Sequence, residues 1–105
     1  MAAQDMAAQD IVVIGGSAGA LEALAQILKG LPRGMEAAVF VVLHTAPQGS
    51  GALAQILARS SELPVEFAED GKEVRRSHVY VAPPDHHLTL DGRAMRVARG
   101  PRENG

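Results

Sequence analysis

The chain has 105 residues, 47% of them hydrophobic, only two phenylalanines and one tyrosine among its aromatics, and a formal charge of −2. This length suits one domain with a modest core of alanine, valine, leucine and isoleucine. The small negative charge disfavours nucleic-acid binding, and no apolar run approaches the roughly 20 residues of a membrane helix. Because cysteine is absent, disulfides and thiolate catalysis are excluded, and any nucleophile must be a hydroxyl.

The first ten residues, MAAQDMAAQD, consist of one short unit repeated once. They contain neither the basic region nor the apolar region of a secretory signal. We therefore expect residues 1–10 to form a disordered leader and the folded domain to occupy residues 11–105. A cytoplasmic protein without membrane insertion is the expectation.

A strand followed by a helix is predicted twice in the first half of the chain. Residues 11–14 form an apolar β-branched run that meets a glycine-rich turn, and leucines at helical spacing follow over residues 21–28. A second apolar run, residues 38–43, ends at His44, and a short helix is expected after the predicted N-cap Ser50. Two consecutive units of this kind predict a doubly wound, Rossmann-like parallel α/β sheet.

The pattern changes to short strands after Pro64. We expect strands at residues 65–68, 79–82, 88–90 and 95–97. Asp91-Gly92 separates the last two, which predicts a β-hairpin near the C-terminus. Residues 99–105 have no apolar periodicity, so we expect the domain to be truncated before it is complete, leaving a sheet edge and an apolar face exposed.

The turn after the first strand carries the sequence GGSAG, residues 15–19. It matches G-x-S-x-G between a strand and a helix, the context of a nucleophile elbow, and so predicts Ser17 as a nucleophile. We expect this turn to be crowded, so that only a small residue fits at the positions of Gly16 and Gly19. The backbone N–H of Ala18, at the positive end of the following helix, is the predicted oxyanion donor.

Two other interpretations of this turn remain open. Ser17 can be the N-cap of a helix after a glycine-rich turn, with no chemical role. A nucleotide-binding loop is the other alternative, although glycines at positions 15, 16 and 19 do not fit G-x-G-x-x-G and no Lys-Ser/Thr pair follows.

His44 ends the second strand just as Ser17 ends the first. Because ligand sites in such folds lie at the carboxyl ends of the strands, His44 is the predicted general base for Ser17; the alternative is a surface histidine without a catalytic role. His86 and His87 are consecutive, so on a strand they point to opposite faces and cannot both bind one ion. We expect no metal site and no cofactor.

Five blocks in fixed order make the chain resemble a known family over residues 11–104. They are IVVIGGSAGALEAL, VVLHTAP, LPVEFAEDGKEV, HVYVAPPDHHL and RGPREN. The family is the CheB-type protein-glutamate methylesterase catalytic domain. The resemblance implies that Ser17 attacks the γ-methyl ester of a glutamate on a chemoreceptor in bacterial chemotaxis, with His44 as its base. It also implies the related deamidation of receptor glutamine.

Near the two predicted catalytic positions, the sequence resembles stand-alone and hybrid CheB-like proteins more than the chemotaxis enzyme. Ala20 and Thr45 are among the residues that differ from the common family pattern. The aspartate that completes the family's triad has no counterpart in this chain, and Asp85 is a weak candidate. The receiver domain of the chemotaxis enzyme has no counterpart either, so control by phosphorylation would need a response-regulator or kinase partner. We therefore expect weak activity or none, and a non-catalytic CheB-like signalling module is the alternative function.

Overall fold

The computed structural model of the chain describes residues 10–17, 21–44, 53–83 and 86–99. Its elements are β1 (Asp10–Ser17), α1 (Leu21–Lys29), β2 (Ala37–His44), α2 (Leu53–Ala58), β3 (Val65–Phe67), β4 (Val79–Val81), β5 (His86–Asp91) and β6 (Ala94–Arg99). None of the helices in these ranges is long and apolar enough to span a membrane.

Four strands form a parallel sheet in the order β1, β2, β4, β3, and β5 pairs with β6 as an antiparallel hairpin. The sheet strands are apolar and β-branched, as expected where both faces of a strand are covered. β1 pairs with β2 along its whole length, from Asp10 opposite Ala37 to Ser17 opposite His44. The predicted α/β architecture, a parallel sheet followed by a hairpin, is confirmed.

Helix α1 packs on the sheet through leucines at helical spacing. Leu24 and Leu28 are buried, and Lys29 at the last position suits the negative end of the helix dipole. The helix ends where Gly30 donates its backbone N–H to the carbonyl of Ile27 at 3.1 Å. This end lies where the leucine spacing stops in the sequence.

Alternate residues of β2 and β4 face two separate apolar clusters. The cluster on the helical side has these buried members: Leu24, Leu28, Val39, Val41, Ala54, Leu57, Leu63, Val79 and Val81. Since Leu28 belongs to α1 and Leu57 to α2, both described helices cover the same face of the sheet.

The hairpin covers the opposite face. Phe40 of β2 and Tyr80 of β4 are buried there together with Met95 of β6. Leu88 and Val97, which are opposite each other in the hairpin, pack against this cluster. The sheet is therefore held between helices on one side and two strands on the other.

The hairpin turn lies one residue later than the sequence predicts. Asp91 still pairs with Ala94, so the turn residues are Gly92 and Arg93. Gly92 has a φ of +66°, and a two-residue hairpin turn requires a positive φ at its first position. Glycine takes this conformation without steric cost, whereas aspartate remains in the strand.

β1 forms one edge of the described sheet and leaves apolar side chains uncovered. Val13 is 66% exposed, and Ile11 and Val12 are each 37% exposed. The predicted exposed edge and uncovered apolar face are therefore present among the described strands. An unpaired apolar edge of this kind favours self-association.

Candidate active site

Ser17 and His44 end neighbouring strands and are partners in the parallel register. Adjacent strands lie about 4.8 Å apart, so the two backbones are side by side at the carboxyl edge of the sheet. In the sequence His44 directly follows an apolar run, whereas two glycines separate Ser17 from the run that precedes it. The pairing of β1 with β2 brings the two strand ends together. Substrates and cofactors of open α/β sheets bind at this edge.

Strand β1 continues through the glycine pair, whereas the sequence predicts that it ends at Ile14. Gly15 and Gly16 are opposite Val42 and Leu43 in the register. A Cβ atom on Gly15 would lie 3.7 Å from the carbonyl oxygen of Val42, which is an ordinary contact. Gly16 and Ser17 therefore belong to β1. The predicted elbow residues Ala18 and Gly19 lie outside the described residues.

The N-terminal end of α1 lies at the same edge, because α1 begins at Leu21, shortly after β1 ends. A helix N-terminus carries a partial positive charge and favours negative charge developing nearby. Leu24 and Leu28 anchor the helix on the sheet, so this end is fixed relative to the carboxyl ends of the strands.

β4 ends beside Val41, three residues before the end of β2. Ala82 donates its backbone N–H to the carbonyl of Val41 at 2.9 Å, and His86 donates its backbone N–H to the carbonyl of Pro83 at 3.3 Å. β5 therefore begins within a few residues of the end of β4. Asp85, the weak candidate for the third catalytic residue, lies outside the described residues.

Asp70 follows β3 but is engaged in holding the hairpin. Its Oδ1 accepts the backbone N–H of Val97 at 2.8 Å, and its Oδ2 lies 4.0 Å from Arg96. The carboxylate therefore supports the docking of β6. Within the described part of the chain, no group of three or more histidine or acidic side chains could hold a metal ion.

Comparison with known protein families identifies the family of the chain. The family model described as CheB methylesterase matches residues 12–105. The chain belongs to the CheB methylesterase family. The resemblance drawn from the five sequence blocks is confirmed.

Curated relatives of the CheB family carry the name protein-glutamate methylesterase/protein-glutamine glutaminase. The protein of this name from Thermotoga maritima is 44% identical over 87 residues, which cover 83% of this chain and 25% of the relative. That from Archaeoglobus fulgidus is 41% identical over 88 residues, covering 84% and 25% respectively. The chain thus spans about a quarter of the length of these relatives.

A solved structure of the CheB family has the same fold. The chain superposes on the crystal structure of the Thermotoga maritima CheB methylesterase catalytic domain with a TM-score of 0.80 and 38% identity. The match covers 92% of this chain and 53% of the solved one. The sheet, helices and hairpin therefore correspond to about half of a CheB catalytic domain.

Proposed function

We propose that the chain carries the nucleophile and base of a serine carboxyl-ester hydrolase that removes methyl esters from glutamate side chains of proteins. The observation that supports this best is the pairing of Ser17 with His44 at the carboxyl edge of the sheet. The names of the curated relatives support the same reaction and add deamidation of glutamine.

In the proposed reaction Ser17 attacks the ester carbonyl while His44 accepts the hydroxyl proton. The Ala18 N–H and the N-terminal end of α1 stabilise the oxyanion, and Gly19 keeps the turn after β1 narrow. His44 then protonates the leaving group, which departs as methanol. Water attacks the acyl-enzyme, the glutamate carboxylate is released and Ser17 regains its proton. The reaction uses neither a metal nor a cofactor.

The third residue of such a triad is an acid, which orients the imidazole and stabilises its charged form. In this proposal Asp85 is the one candidate within the chain, and a partner or further segment is the alternative source. Losing the acid can cost on the order of 10⁴ in turnover. We therefore expect the 105-residue chain to release methanol slowly, if at all.

The proposed setting is chemotaxis signalling in the cytoplasm, with a methylated chemoreceptor or another protein carrying glutamyl methyl esters as substrate. A response regulator or kinase is the proposed controlling partner. A non-catalytic CheB-like signalling module would keep the same fold without an activated serine.

A fluorophosphonate probe, which reacts with activated serines, tests the proposal directly. The chain should be labelled once, and Ser17→Ala should abolish labelling. Ser60→Ala, which removes a hydroxyl after α2, is the matched control and should leave labelling unchanged. No labelling of the original chain, or labelling that persists in Ser17→Ala, would contradict the hydrolase and favour the signalling module.

A further inference from the structure

The two edge strands of the described parallel sheet differ in length and in charge. β3, at one edge, has three residues, and its central Glu66 forms an ion pair with Lys72. β1, at the other edge, has eight residues in continuous register with β2, and Asp10 is its one charged residue. Natural edge strands avoid further pairing by being short, charged or bulged. β3 is short and charged, whereas β1 has only the charge at its first residue.

β1 carries apolar side chains on both of its faces, and both faces are partly uncovered. Val13 is 66% exposed, although its register partner Phe40 is buried beneath the hairpin. On the other face Val12 is 37% exposed, although its partner Val39 is fully buried on the helical side. In the described structure the cover on each face therefore stops between β2 and β1. Apolar residues on both faces of a parallel strand are typical of a strand with a neighbour on each side.

A second copy of the chain can supply that neighbour, and charge favours one orientation. A closed dimer of identical chains has a two-fold axis. An axis along the strands would make the two copies of β1 parallel and would place Asp10 beside the second copy's Asp10, where like charges repel. An axis perpendicular to the sheet makes the strands antiparallel, separates the two aspartates and keeps the hairpin faces of both copies on the same side.

One antiparallel register fits the sequence of β1 best. Residues directly opposite each other share a face, so their numbers must differ by an even number. With the axis at Val13, the pairs are Val13 with Val13, Val12 with Ile14, Ile11 with Gly15 and Asp10 with Gly16. This register pairs residues 10–16 of both copies, sets apolar residues against each other at its centre and opposes no two charges. An axis at Val12 shortens the paired segment, and an axis at Ile14 leaves one apolar pair.

We propose that the chain forms a symmetric dimer in which β1 pairs antiparallel with β1 of a second copy, about an axis at Val13. The four-stranded sheets of the two copies then join into one sheet. The paired segment ends at Gly16, before Ser17, so the two candidate active sites lie at opposite edges of the joined sheet. The inference is independent of the hydrolase proposal, because it uses no property of Ser17 or His44.

Sedimentation over a range of concentrations tests the dimer. The original chain should sediment as monomer and dimer in equilibrium, with a dimer fraction that rises with concentration. Val13→Lys should weaken the dimer about tenfold or more, because two lysines would oppose each other across the axis. Ile27→Lys is the matched control: it adds the same charge at an apolar position of α1 that is 48% exposed, and it should leave the association unchanged.

Single introduced thiols test the register, because the chain has no cysteine of its own. Val13→Cys treated with a short bismaleimide should give a covalent dimer, since the two thiols would face each other across the axis. Asp10→Cys should be linked at least tenfold more slowly, because the two copies of residue 10 lie about 20 Å apart in this register. Ile27→Cys measures the linking that results from random collisions of exposed thiols, and it should be as slow as Asp10→Cys.

Several results would overturn the inference. A chain that stays monomeric, or whose association Val13→Lys leaves unchanged, would exclude β1 as the dimer interface and would leave this edge for a strand of another polypeptide. Linking of Asp10→Cys as fast as that of Val13→Cys would exclude the antiparallel register. Species that grow beyond a dimer as the concentration rises would exclude closed two-fold pairing.

Discussion

Ser17 is paired with His44 in the parallel register of β1 and β2, and each is the last residue of its strand. The pairing is continuous from Asp10 opposite Ala37 to Ser17 opposite His44. The alignment of β1 with β2 along their whole length therefore brings the serine and the histidine side by side.

His44→Gln should slow fluorophosphonate labelling of Ser17 by about 10²- to 10⁴-fold, because glutamine cannot accept the hydroxyl proton as a base. The measurement is the labelling rate at fixed probe concentration. His78→Gln is the control, because His78 precedes β4 and lies at the other end of the sheet. Ser17 of this variant should be labelled at the original rate. Equal rates for His44→Gln and the original chain would rule out His44 as the base.

Leu28→Ala should lower the free energy of unfolding by about 2 to 5 kcal/mol, because Leu28 is fully buried between α1 and the sheet. The neighbouring Ile27 is 48% exposed, so Ile27→Ala should cost about 1 kcal/mol or less. Denaturant unfolding of both variants checks this. Similar losses for the two variants would mean that α1 does not pack through Leu28.

The sequence allowed the individual elements to be predicted better than their arrangement. The apolar run and its Lys29-Gly30 ending located α1, because both signals are local. The position of β4 between β2 and β3 had no local signal, since it depends on pairing between segments far apart in the chain. For the same reason, His44 was a candidate from its strand end alone, whereas its position opposite Ser17 depends on the alignment of β1 with β2.

Gly92→Ala should destabilise the fold by about 1 kcal/mol, because the φ of +66° at Gly92 is unfavourable for a residue with a Cβ atom. Gly34→Ala is the control: a Cβ atom there would meet nothing within 4 Å, and its φ is not in the positive range. It should be neutral or slightly stabilising. Thermal unfolding of both variants measures the difference, and equal stabilities would contradict a glycine-dependent hairpin turn.

Tyr80 provides a test of the face that the hairpin covers. Its ring stacks on Phe40 with 5.4 Å between centroids, and its hydroxyl oxygen accepts the backbone N–H of Arg75 at 3.0 Å. Burial raises the pKa of the Tyr80 phenol above its usual value near 10, and this effect exceeds the opposing effect of the Arg75 N–H.

The raised pKa of Tyr80 predicts a loss of stability in alkaline solution. The folded chain holds the phenol proton more tightly than the unfolded chain, so this stability is fully present below about pH 10 and is lost as the pH rises towards the folded pKa. Tyr80 is the only tyrosine, so phenolate absorbance reports it directly, with the chain in denaturant as the reference. A folded phenol that titrates with or before the denatured one would contradict burial of Tyr80 beneath the hairpin.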